Sequence, residues 1–375
     1  MWKLLAAAAV SFGLCCAETH PILAIGSPAP PFSLPGVDGK IHTLADYAAS
    51  PVLVVVFTCN HCPIAQMYET RIAQLRDDYS GKGVAVVAIQ GNAPEAIRVD
   101  ELDSSDISDS LDEMKIRAAY KHITYPYLYD GDTQEVTRAY GPQATPHVFV
   151  FDSARRLRYE GRMDDSYRVE MVKTHDARYA IDAVLAGKPL AVTHTGVFGC
   201  STKWKEKEAS RVAAIRKIES RPVTLETVSP DGLKALLANR TGKTTLVSIW
   251  SAGCAACVRQ FAGIETTYRM YSDRDFVVVT VAANLPEERS AVQAVLDKEH
   301  ASGRNLLFGS TVAALKTAFD PDWNPAEPYI AVLSPEGRLL YRKIGEVDTL
   351  ELRRKILADL PSDYIGFNRY WAGQN

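Results

Sequence analysis

Only seven of the 375 residues are cysteine, no stretch is apolar for long, and positive charge holds no excess: Lys plus Arg number 42 against 45 Asp plus Glu. A membrane span needs roughly 18 to 20 consecutive apolar residues, so none is expected in the mature chain. A formal charge of −3 offers no surface for neutralising phosphates, which argues against nucleic acid as a partner. With 47% hydrophobic and 23% charged residues, the composition is neither that of a disordered chain nor that of collagen. At roughly 150 residues per domain, the length predicts two or three domains. What is present is a small set of cysteines in telling places.

Met1-Trp2-Lys3, the apolar stretch Leu4–Leu14 and the small residues Cys15 and Ala17 form a secretion leader, residues 1–17, cut after Ala17. That expectation places the mature chain outside the inner membrane, in the periplasm, where disulfides persist. Leu14 departs from a lipobox before Cys16, so lipid anchoring is the lesser alternative.

The rest is one plan written twice. PVLVVVF (Pro51–Phe57) precedes Cys59-Asn60-His61-Cys62, and TLVSIW (Thr245–Trp250) precedes Cys254-Ala255-Ala256-Cys257. VVAIQGN ending at Asn92 answers VVTVAAN ending at Asn284, and Pro146 answers Pro328, each before a β-rich strand. Each copy reads as strand, Cys-x-x-Cys, helix, strand, helix, strand, hairpin, strand, helix. Ile64, Tyr68, Ile72, Leu75 and Tyr79 recur at helical spacing after the first motif; Phe261, Ile264, Tyr268 and Tyr271 do so after the second. Asp176 and Asp348 are placed to cap closing helices. The expected fold is α/β, two tandem domains, each a central mixed sheet flanked by helices. Residues 18–200 form the first and 222–375 the second, with a solvated linker helix over 201–221. Asp100–Glu113, acidic and Ser-rich, reads as a surface insertion.

A Cys-x-x-Cys between a buried strand and a helix start is a redox motif. Unpaired N–H groups and the macrodipole at a helix N-terminus stabilise a thiolate there. A cysteine pKa falls in such surroundings from ~8.5 to between about 3.5 and 7.5. This predicts Cys59 and Cys254 as attacking thiols and Cys62 and Cys257 as the sulfurs that resolve the mixed disulfide. An imidazole at His61 favours the first thiolate, making Cys59–Cys62 the more oxidising couple. A metal held by Cys59, Cys62 and His61 lacks a tetrahedral donor set, so no metal and no cofactor are expected. Cys200 stands alone, either a buried inert thiol or a third redox thiol.

The whole mature chain resembles the thioredoxin superfamily. FTCNHCP (Phe57–Pro63), YGPQATPHVFVFD (Tyr140–Asp152), YEGRMDD (Tyr159–Asp165) and GCSTKW (Gly199–Trp204) resemble the peroxiredoxin-related redoxin group of the alkyl hydroperoxide reductase/thiol-specific antioxidant class. SPDGLKALLANRTGKTTLVSIWSAGCAAC and PYIAVLSPEGRLLYRKIG resemble thiol-disulfide oxidoreductases of the TlpA/ResA type. The resemblance implies that Thr145-Pro146 and Glu327-Pro328 are cis-proline loops facing the dithiols. Glu327 departs from the small or β-branched residue usual there, and a carboxylate near Cys254 would raise that thiol's pKa.

Three functions stay open on the residues alone. The first is an extracytoplasmic thiol-disulfide oxidoreductase acting on protein thiols and disulfides with a thiol electron donor. The second is a peroxide reductase with Cys59 as peroxidatic sulfur, although Val56 stands where that site wants a hydroxyl. The third is a non-enzymatic copper or haem-delivery module. Tethering of the two dithiols further suggests electron transfer between them, with two independent modules as the alternative.

Overall fold

The computed structural model describes residues 20–360, so the expected leader lies outside it. The first half runs β1 (Ser33–Pro35), β2 (Ile41–Thr43), β3 (Leu53–Thr58), α1 (Pro63–Ser80), β4 (Ala85–Gln90), α2 (Leu111–Lys121), β5 (Tyr127–Tyr129), α3 (Glu135–Tyr140), β6 (Ala144–Thr145), β7 (His147–Phe151), β8 (Leu157–Gly161), α4 (Asp176–Leu185) and β9 (Cys200–Ser201). A connecting helix, α5 (Glu208–Glu219), follows. The second half runs β10 (Glu226–Val228), α6 (Pro230–Leu237), β11 (Thr244–Trp250), α7 (Ala255–Tyr271), β12 (Phe276–Ala282), α8 (Arg289–Lys298), β13 (Arg304–Phe308), α9 (Val312–Ala318), β14 (Tyr329–Leu333), β15 (Leu339–Ile344) and α10 (Thr349–Asp359).

The repeat seen in the sequence is a repeat of topology. The first sheet has the order β5-β4-β3-β7-β8 and the second β10-β13-β12-β11-β14-β15. In each, the strand before the Cys-x-x-Cys pairs in parallel with the next strand and antiparallel with the hairpin strand: β3 with β4 and β7, β11 with β12 and β14. Both central strands are buried along their whole length, as their unalternating apolar sequences require. In β3, Leu53, Val55 and Phe57 enter one core and Val54 and Val56 the other. α1 lays Ile64, Tyr68, Ile72, Leu75 and Tyr79 on that second core, the stripe its periodicity predicts. Each such burial is worth about 1.5–3 kcal/mol, enough to hold the helix start against the end of β3.

The closing helices begin differently from one another. Asp348 caps α10, accepting from the N–H groups of Leu350 (2.9 Å) and Glu351. α4 begins at Asp176 itself, so His175 is the N-cap and makes no side-chain cap, while the Asp176 carboxylate accepts from Arg162 Nε at 2.8 Å. α5 buries no residue, as a solvated linker should. The first domain nevertheless runs past residue 200. Lys203 N–H donates to Asn92 Oδ1 at 2.8 Å and Lys205 N–H to Gln134 Oε1 at 2.9 Å. No helix among the described residues is long and apolar enough to cross a membrane.

Asp100–Glu113 is not the surface insertion its polarity suggests. Ser105, Asp106 and Asp109 are buried. The loop's carbonyls and carboxylates meet donors from the second domain: Tyr271 Oη donates to Ser105 O at 2.8 Å, Arg274 Nη1 to Asp103 O at 2.9 Å, and Arg354 Nε to Asp106 Oδ2 at 2.7 Å. Polar residues are buried here because each finds a partner across the interface. The same bonds dock the two domains against one another.

Candidate active site

The first dithiol sits where β3 ends and α1 begins. Pro63 is the first helical residue, as suits a ring without an N–H, and this makes Cys62 the N-cap. Cys59 therefore lies in the turn ahead of the helix, and the expectation that it begins the helix is not met. Cys62 is the sulfur nearest the unpaired N–H groups of the first turn. Both residues are sealed from solvent, Cys59 at 1% and Cys62 at 0% exposure.

Three segments distant in sequence converge on these sulfurs. Thr145-Pro146 is a cis peptide, with Thr145 Oγ1 3.2 Å from Cys59 Sγ and Thr145 O 3.5 Å from Cys62 Sγ. β9 pairs with β6 in the register Thr145↔Cys200, and the Cys200 N–H donates to Cys62 Sγ at 3.3 Å. The third segment is the loop ending at Asp109. Its Oδ1 accepts the backbone N–H groups of Asn60 (2.9 Å) and His61 (3.0 Å); its Oδ2 accepts from His61 Nδ1 (2.7 Å) and Asn92 Nδ2 (2.8 Å).

The charges follow from these contacts. Burial opposes ionisation of His61, but the Asp109 carboxylate beside it outweighs burial and raises its pKa. Burial likewise opposes the Asp109 anion, and the His61 charge with its hydrogen bonds holds that carboxyl below its ordinary 3.8. Burial pushes the Cys59 thiol up, helped by its hydrogen bond to Cys62 and the Asp109 charge. Cys62 goes the other way. Burial works against its thiolate, but hydrogen bonds from Cys200 and Cys59, the His61 charge and the Ala65 N–H overcome it. Of the two motif sulfurs, Cys62 is the one built to carry negative charge.

Cys59, His61 and Asp109 place possible ligand atoms within 4.8 Å of one another, a grouping not foreseen from the sequence. Each Asp109 oxygen already accepts two N–H donors, so this carboxylate is committed to the turn, while His61 Nε2 is buried without a partner. Asp109 and Asn92 were also missed as site residues. A readable signal lies beside Asp109, the capping box of Ser110 and Glu113 that opens α2, but nothing there names His61 as its partner.

The second dithiol follows the expected plan more closely. Cys254 is the N-cap of α7 and accepts from the Cys257 N–H at 3.1 Å. The two sulfurs are joined as a disulfide. Cys254 is 6% exposed and Cys257 fully buried, so only the first is near the surface. Glu327-Pro328 is not cis, contrary to expectation; Thr145-Pro146 is the one cis bond among the described residues. Trp323 Nε1 holds the Glu327 carbonyl at 2.9 Å, and the ordinary trans peptide serves this turn. The Glu327 side chain is exposed, and the group facing Cys254 Sγ is the Ala326 carbonyl at 3.3 Å.

Comparison with known proteins gives the same division. Residues 25–160 match the AhpC/TSA family and residues 215–359 match the Redoxin family. No curated protein matches. Among solved structures, a hypothetical protein from Sinorhizobium meliloti 1021 is 36% identical, covering 49% of this chain and 97% of its own, with a TM-score of 0.43. A thiol:disulfide interchange protein of the thioredoxin family from Chlorobium tepidum TLS is 21% identical over 43% of this chain and 98% of its own, TM-score 0.33. A peroxidoxin from Mycobacterium tuberculosis is 17% identical over 43% and 94%, TM-score 0.31. The chain is thus a tandem of two α/β domains, residues 25–160 being similar to the AhpC/TSA family and residues 215–359 to the Redoxin family.

Proposed function

We propose that this protein is a thiol-disulfide oxidoreductase working outside the cytoplasm, with Cys59–Cys62 and Cys254–Cys257 as its two redox couples. The observation that carries the reading is the stabilised Cys62 sulfur between two other thiols at the β3–α1 corner. A thiolate held by N–H groups and a buried imidazolium is a good leaving group, so a disulfide opens readily when attack on its other sulfur releases Cys62. In the second domain Cys254 attacks and Cys257 resolves, matching their exposure. Substrate is a protein thiol or disulfide, and two electrons and two protons pass per exchange. The leader expected from the sequence, together with the redox chemistry, is what supports a periplasmic location.

Peroxide reduction by Cys59 is the poorer fit. That reaction needs a thiolate, and burial pushes the Cys59 thiol up. Val56, at the position where a hydroxyl is wanted, is packed into the core. Mixing reduced protein with hydrogen peroxide or with a model disulfide in stopped flow separates the readings. Faster thiol loss with the disulfide is expected; faster loss with peroxide overturns the proposal. Copper or haem delivery predicts tight metal uptake by the reduced protein in titration, which the filled Asp109 carboxylate opposes.

The two couples work independently in this reading. α7 touches the first domain through Tyr271, at its C-terminal end, whereas Cys254 caps its N-terminal end roughly 25 Å away at 1.5 Å per residue. Donor-driven turnover at Cys59–Cys62 is therefore expected to stay within about twofold in a Cys254→Ser/Cys257→Ser protein. A collapse of that turnover in the double variant shows transfer between domains instead.

A further inference from the structure

Both motif cysteines of the first domain are sealed off, yet an oxidoreductase must admit a partner sulfur. We infer that the first domain works through three sulfurs, with Cys62 shared between Cys59 and Cys200 and with Cys200 as the point where a partner thiol enters. The inference rests on the oxidoreductase reading and adds its route. Cys200 lies outside the segment that matches the AhpC/TSA family.

Four observations carry it. Cys200 is half-buried, the only one of the three thiols that is not fully enclosed. Its N–H donates to Cys62 Sγ at 3.3 Å, which places its own side chain beside that sulfur. The β6–β9 pairing sets it opposite Thr145, whose own hydroxyl and carbonyl face Cys59 and Cys62. Gly199, at φ +134°, permits that approach: a Cβ there would stand 2.1 Å from Thr145 O. The strand is pinned just beyond, where Lys203 N–H bonds Asn92 Oδ1 at 2.8 Å and Lys203 O accepts from Ala93 N–H at 2.9 Å.

The steps balance as thiol-disulfide exchange. Starting from the Cys59–Cys62 disulfide, Cys200 gives up its proton and attacks Cys62 as thiolate; the S–S bond to Cys59 breaks, and the departing Cys59 sulfur, whose thiol form burial favours, takes up that proton. A donor thiolate then attacks Cys200, forming a donor–Cys200 mixed disulfide and releasing Cys62 as thiolate. A second donor thiolate attacks the donor sulfur of that bond, leaving as donor disulfide, and Cys200 takes up a proton from solvent. Two donor sulfurs are oxidised and one protein disulfide is reduced.

Trapping in the full chain tests this, with glutathione as the probe. In Cys62→Ser, treated with oxidised glutathione and mapped by mass spectrometry after acid quench, the adduct is expected on Cys200 at least tenfold over Cys59. Cys59→Ser is expected to form a Cys62–Cys200 disulfide. Cys200→Ser, which keeps the backbone pairing of β9, is expected to slow reduction of Cys59–Cys62 by glutathione at least tenfold. An adduct on Cys59, or an unchanged rate in Cys200→Ser, overturns the relay. Should a variant fail to fold, wild-type protein mapped at early times decides: a Cys62–Cys200 peptide must appear before the reaction ends, and its absence overturns the proposal. If wild-type protein reacts with peroxide and not with disulfides, the oxidoreductase reading falls separately, and the site of the trapped adduct still judges the entry point.

Discussion

Replacing Asp109 by alanine is expected to cost the protein about 3 to 5 kcal/mol of stability, the usual result of removing one member of a buried ion pair. Asp109 is fully enclosed and accepts four hydrogen bonds, two from the backbone of the Cys-x-x-Cys turn itself. Without it, two N–H groups and a buried imidazole lose their partner. Asp109→Asn keeps the size and one acceptor and should lose less. Thermal unfolding of the full chain measures the change, and hydrogen exchange should place the loss of protection in β3 and α1. An alanine variant as stable as wild type would show that the His61–Asp109 pair does not hold this corner.

The pH dependence follows from the two directions of shift. Asp109 is held below its ordinary 3.8, so its contribution is present above that value and lost as pH falls through the lower, folded pKa. His61 is held above its ordinary 6.5, so its contribution is complete below 6.5 and lost as pH rises through the higher, folded pKa. The stability gap between wild type and Asp109→Ala is thus expected to be widest between these two values and to narrow outside them. A gap that is flat across this range rejects the ion pair.

Cys59–Cys62 is expected to be a clearly more oxidising couple than Cys254–Cys257. Stabilising a thiolate stabilises the reduced form, and each pKa unit is worth about 1.4 kcal/mol, equivalent to 30 mV for two electrons. Cys62 has the His61 charge and the Cys200 N–H in its favour, whereas Cys254 faces the Ala326 carbonyl, whose negative end disfavours an anion. Equilibration of the full chain in glutathione buffers, with each couple followed by mass mapping, gives both potentials. His61→Ala should lower the first potential by several tens of mV and leave the second unchanged. Equal potentials in the wild type, or the reverse order, reject the argument.

The tandem plan was legible because its signals are local. An unalternating β-branched run, two cysteines one turn apart and an apolar stripe at helical spacing dictate strand, corner and helix wherever they occur, and β3–α1 and β11–α7 follow. The burial of Asp109 was not legible. A Ser- and Asp-rich segment reads as solvated because sequence records polarity and not partners, and the partner here, His61, is 48 residues away. The shift of helix start from Cys59 to Cys62 was nearer to hand, since Pro63 is a first-turn residue.

By itself, then, the sequence determined two sulfur pairs at two strand-to-helix corners, an aromatic and aliphatic core behind each, and a solvated helix between them. Each of these depends on residues within one or two turns of one another. Only the tertiary structure decided which sulfur of the first pair is electrostatically favoured, that Cys200 joins it, that Glu327-Pro328 stays trans and that the two domains dock through the Asp100–Glu113 loop. Those outcomes rest on contacts such as Cys200 N–H to Cys62 Sγ, 138 residues apart, and Arg354 to Asp106, 248 apart. Electrostatics and burial depend on proximity in space, which the chain order of the residues does not encode locally.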